Sequence, residues 1–90
     1  MQMPIVSSDN ESVFHLFVVQ VKEREKLMKA MNEAGVQCQL HYPNALPDLP
    51  PFVKKYGQLS YPVARQLASQ GLSLPIYPEM TQEMLDRVID

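Results

Sequence analysis

Two alternating patterns and three helical ones run along this chain. From Ser12 to Val21 apolar residues occupy both sides of a two-residue repeat. Val13, His15, Phe17, Val19 and Val21 share one side, and Phe14, Leu16 and Val18 share the other. A β-branched and aromatic run of this kind predicts a strand covered on both faces. The period then lengthens. Between Glu23 and Ala34, the residues Leu27, Ala30, Met31 and Ala34 recur at helical spacing, and Gly35 follows where a left-handed cap would end a helix. Val36 to His41 alternates strictly, so Val36, Cys38 and Leu40 would turn inward and Gln37, Gln39 and His41 outward, as on a half-buried strand.

Prolines at 43, 47, 50 and 51 then predict an irregular, extended path from Tyr42 to Pro51. Phe52 to Tyr56 reads as a single helical turn stopped by Gly57. Ser60 or Tyr61 would cap a second helix that has Pro62 in its first turn, where the missing N–H costs nothing. Its apolar stripe is Val63, Ala64, Leu67 and Ala68, and Gly71 follows its end. Leu72 to Leu74 reads as a short strand closed by Pro75. Thr81 would cap a last helix with Met84, Leu85, Val88 and Ile89 on its inner face. Residues 1–11 read as a polar lead-in and 12–90 as one domain. The expected fold class is α+β, a small sheet of about three strands covered by helices. With the short strand placed between the other two, it would run antiparallel to both.

Composition narrows the function classes. Hydrophobic residues make up 46% of the chain, ordinary for a globular domain. The net charge is −2 with both signs interspersed, so neither nucleic acid nor an anionic membrane is an expected partner. No apolar run approaches the ~20 residues a bilayer span needs. Met1 to Ile5 does not begin as a secretory signal does. The lone Cys38 excludes a disulfide within the chain and fits a reducing compartment, so the expected location is cytoplasmic.

Candidate chemistry is sparse. The three glycines are isolated stops after helical segments, so no glycine-rich phosphate cradle exists. His15, Cys38 and His41 are the only soft or imidazole ligands, and Cys38 and His41 fall on opposite sides of their strand, so no metal site is expected. No serine sits in a nucleophile elbow, and Cys38 has no base beside it, so no catalytic residue is assigned. His41 and Tyr42 stand out, because a polar strand face there runs into a fixed loop.

Leu72 to Asp90, together with Phe14 to Val19 and Leu40 to Pro43, resembles the C-terminal small domain of the DegT/DnrJ/StrS sugar aminotransferases. These are pyridoxal-phosphate (PLP) enzymes of fold type I that aminate keto-sugars carried on nucleotides. The resemblance covers about residues 12 to 90. It implies that His41, Tyr42 and His15 are candidate substrate-binding residues, and that Ser73, Pro75 and Tyr77 pack one domain against another. This chain departs from many relatives at Ser12, where they have a histidine, at Pro47, which interrupts a Pro-Leu-His run, and at Arg65, where a glutamate is common. The family's cofactor lysine belongs to a large domain, and none of Lys22, Lys26, Lys29, Lys54 or Lys55 sits in an aldimine motif. The expectation is therefore a domain that neither binds PLP nor transaminates alone. It would work with a large domain or subunit on a nucleotide-linked sugar, or else serve as a stand-alone module for self-association or protein binding.

Overall fold

The computed structural model describes residues 1–89. Strands β1 (Phe17–Gln20) and β2 (Gly71–Leu74) form an antiparallel ladder that pairs Phe17 with Leu74 and Gln20 with Gly71. The expected first strand is cut short at its N-terminal end. Phe14 holds a φ of 47°, a region that residues with side chains seldom occupy, and its N–H donates to Ser12 Oγ at 3.1 Å. That local bond competes with strand pairing, and it leaves Val13 93% exposed.

The second expected strand is reduced to one bridge. Gln39 and Ser73 exchange backbone hydrogen bonds of 3.2 and 2.8 Å, antiparallel. Ser73 therefore lies between Val18 and Gln39, and the short strand is central and antiparallel to both neighbours. Among the described residues, only two strands are continuous. The reason lies in β2 itself. On that edge it offers only the backbone groups of Gly71 and Ser73, and those of Gly71 are taken. Its N–H bonds Leu67 O, and its carbonyl accepts from Arg24 Nη1 at 3.3 Å. On the outer edge of β1, Gln2 and Gln20 exchange backbone bonds of 2.8 and 2.9 Å.

The helices are α1 (Arg24–Glu33), α2 (Pro50–Tyr56), α3 (Pro62–Gln70) and α4 (Gln82–Ile89), with a 3-10 turn at Leu46–Asp48. Gly35 and Gly57 end α1 and α2 with φ of 85° and 75°. Gly71 follows α3 for a different reason: a Cβ there would stand 2.6 Å from Leu67 O. Thr81 Oγ1 accepts the Met84 N–H at 3.2 Å and caps α4. Arg24 is buried at the start of α1, where it donates to the carbonyls of Ala68 and Gly71 and to Glu25. This ties the beginning of α1 to the end of α3.

The core is small. Val19 and Leu72 are fully buried and Val36 and Cys38 nearly so, with Leu27, Met28 and Met31 of α1 packed against them. The alternation from Val36 to Leu40 is thus kept without a continuous strand. On α1 the buried stripe is rotated from the expected one, because Met28 packs inward while Ala30 and Ala34 are exposed. The inner face expected for α4 is mostly open. Val88 joins the core, but Met84, Leu85 and Ile89 stay 46%, 41% and 72% exposed. On α3, Ala64 and Ala68 are half-buried while Val63 and Leu67 face solvent. The accessible surface is 7300 Å², against about 5,400 Å² for a folded monomer of this mass. The radius of gyration, 15.5 Å, likewise exceeds the ~12 Å of a compact 90-residue domain. Apolar patterning here outruns what the chain buries by itself.

Candidate functional site

The Gln39–Ser73 bridge does more than extend the sheet. Directly paired residues share a face, and residue i+2 returns to it. Gln37, Gln39 and His41 therefore line up on the side away from Val36 and Cys38, next to Ser73. There they form one wall of a cleft of about 290 Å³, closed by His15 and Leu16 before β1 and by Pro75 and Tyr77 after β2. His41 is half-buried, and its Nδ1 lies 2.9 Å from Ser73 Oγ. Ser73 is only 5% exposed, so its hydroxyl forms a fixed floor. His15 is exposed at the rim.

Two of the three expected site residues, His15 and His41, thus meet in one cleft across 26 residues of sequence. Tyr42 does not line it. Its ring stands edge-on to His41, with centroids 5.4 Å apart, and remains 72% exposed. Ser73 and Tyr77, which the family resemblance marks as packing residues, both line the cleft, as do Gln37 and Gln39. The signal for the two glutamines was the strict alternation ending at His41. For Ser73 no local signal existed, because its role depends on a partner 32 residues away. Cys38 faces the opposite side, with its Sγ 3.6 Å from Met31 Sδ, and burial pushes its thiol above the ordinary range. It behaves as a small core residue.

A second, apolar hollow of about 360 Å³ lies in the proline-rich segment, lined by Leu46, Pro47, Phe52, Tyr56 and Tyr61. One wall is held by Arg65, whose guanidinium forks onto Asp48 at 2.7 and 3.0 Å and also reaches Leu59 O. The residue that departs from the common glutamate therefore fastens the loop to α3. Arg65 holds the Asp48 carboxyl below the usual carboxylate range by hydrogen bonding.

The profile of the DegT/DnrJ/EryC1/StrS aminotransferase family matches residues 1–90. The chain belongs to that family. Among its relatives is the dTDP-3-amino-3,6-dideoxy-alpha-D-galactopyranose transaminase of Aneurinibacillus thermoaerophilus, 39% identical over 98% of this chain and 24% of the relative. The crystal structure of DesV from S. venezuelae superposes with a TM-score of 0.92 at 31% identity, covering 98% of this chain and 24% of DesV. That of NtdA from Bacillus subtilis, with bound cofactor PMP, gives 0.81 at 35% identity, covering 98% of this chain and 21% of NtdA. Members of the DegT/DnrJ/EryC1/StrS family are PLP-dependent aminotransferases, and this chain spans about a quarter of the length of the relatives it matches.

Proposed function

We propose that this chain acts as the small C-terminal domain of a nucleotide-sugar aminotransferase. The cleft around His41 would form one wall of the keto-sugar pocket, and the open apolar faces of α3 and α4 would pack against a large domain or a second subunit. The observation that carries this reading is the convergence of His15 and His41 on one cleft with fixed polar groups. Imidazole and amide side chains of this kind suit hydroxyl and phosphate oxygens. The reading assigns the chain no catalytic step. Transamination needs an amine to condense with the cofactor aldehyde and a carboxylate to pair with its pyridinium nitrogen. The lining of the cleft has neither a lysine nor an acidic residue among the described residues. On this proposal, PLP chemistry would fall to a large domain or subunit.

Isothermal titration of the purified chain with UDP-, dTDP- and GDP-sugars, without PLP, tests the proposal. Saturable binding of one class is expected, and His41→Ala should weaken it by roughly tenfold, the worth of one good hydrogen bond. Unfolding stability of that variant should fall by about 1–3 kcal/mol, because the buried Ser73 hydroxyl loses its partner. Absence of any heat from a folded sample would remove the substrate role.

A second reading is favoured by the excess of exposed surface: a stand-alone module for self-association or protein binding. It predicts a dimer or larger species that grows with concentration in sedimentation velocity runs. A single monomer boundary at every concentration would defeat it.

A further inference from the structure

We infer that Ser73 is a positioning residue for His41: its hydroxyl donates to Nδ1, which holds the neutral ring in the Nε2–H tautomer with that N–H turned to the cleft. This rests on the reading that the cleft meets a substrate, and it adds what His41 would offer it, a hydrogen-bond donor aimed at an oxygen.

The argument is one of hydrogen-bond accounting. A hydroxyl carries one hydrogen, and a neutral imidazole has one donor and one acceptor nitrogen. The contact at 2.9 Å therefore has two possible polarities. If Nδ1–H donated to Ser73 Oγ, the hydrogen of Ser73 would need another acceptor. Ser73 is 5% exposed, and among the described residues His41 Nδ1 is the one side-chain partner of its oxygen. Among the described residues, the Ser73 hydroxyl makes no hydrogen bond to a backbone carbonyl. With Oγ–H donating to Nδ1, both groups are satisfied. A buried hydroxyl with an unused hydrogen would be the costlier state.

The backbone makes this contact rigid. Ser73 is held on both sides, by pairing with Val18 in β1 and by the two-bond exchange with Gln39. His41 follows Gln39 by two residues on the same face, so the ring and the hydroxyl are positioned by one bridge. The edge-on ring of Tyr42 stands against the imidazole and restricts its rotation further. A second-partner hydrogen bond of this kind commonly sets which nitrogen of a histidine faces its ligand.

Nitrogen-15 NMR of the histidine rings reads the tautomer directly, and the chain has only His15 and His41 to assign. Near neutral pH, His41 should show a protonated Nε2 and an unprotonated Nδ1, whereas exposed His15 shows averaged values. Ser73→Ala should move the His41 signals toward the averaged pattern, and Ser73→Thr, which keeps the hydroxyl, should restore them. A wild-type His41 in the Nδ1–H form, or signals unmoved in Ser73→Ala, overturns the inference, and the first of these needs no variant. Titration with a dTDP-sugar forms a separate arm. There Ser73→Ala should bind about 3- to 10-fold more weakly, in line with loss of one neutral hydrogen bond. If wild-type chain binds no sugar nucleotide while the tautomer is as stated, the substrate reading fails and the role of Ser73 toward His41 stands.

Discussion

Helices α1 and α4 carry apolar stripes of similar kind, and they end in different situations. Helix α1 lays Leu27, Met28 and Met31 onto Val19 and Leu72, and its first residue, Arg24, reaches under the end of α3. Helix α4 divides its apolar and polar sides more cleanly than α1, yet it gives only Val88 to the core. It is attached instead by polar contacts, Arg87 to the Ala34 carbonyl at 2.7 Å and Tyr77 Oη to Met84 Sδ. An amphipathic pattern states that a helix has a buried side, not that its own chain supplies the cover. The stability of this chain should therefore be concentrated in the α1 half.

Three measurements sharpen or break that contrast. The largest effect is expected from Leu72→Ala, which empties the centre of the fully buried pair with Val19. Urea unfolding should show a loss of about 3 kcal/mol, typical of such a cavity. On the other side, Leu85→Ala on α4 should cost about 0.5 kcal/mol or less, as surface truncations do. Comparable losses for the two would mean that α4 is covered in solution, and the contrast would fall. The smallest effect concerns the loop. Arg65 lowers the Asp48 pKa, so this pair favours the folded loop above the ordinary carboxylate range, and its contribution fades as pH falls through the depressed value. Because the pair is exposed, only local amide exchange near Leu46 to Leu59 should respond, with the unfolding midpoint little altered. A carboxyl titration curve for Asp48 at the ordinary position would refute it.

Much of the fold was legible because its signals are local. Pro62 and Thr81 mark the starts of α3 and α4, and Gly35 and Gly57 mark the ends of α1 and α2. The apolar pattern predicts a longer first strand than forms, because a Ser12 side chain bonding to the backbone at Phe14 leaves no trace in it. Alternation predicts a full second strand because it reports which side a residue faces, and not whether a neighbour has backbone groups to spare. The same limit applies to the cleft. Strand alternation places His41 on the polar side, but the hydroxyl that meets it comes from the far end of the chain. Which apolar faces end up covered was not legible either. A helical stripe marks which side is apolar, and the exposed Leu67, Met84, Leu85 and Ile89 show how little of it this chain covers.

The single Gln39–Ser73 bridge has a dynamic consequence. A β-ladder resists peeling because each pair is flanked by others, whereas this edge has one pair and no reserve. Opening the His41 side of the cleft would break three hydrogen bonds, the two of the bridge and the contact of His41 with Ser73, while β1, β2 and α1 stay folded. In hydrogen-exchange terms, the Gln39 and Ser73 amides belong to an opening of lower free energy than the Val19–Leu72 centre. The cleft thus has one wall pinned at a single point to a continuous frame.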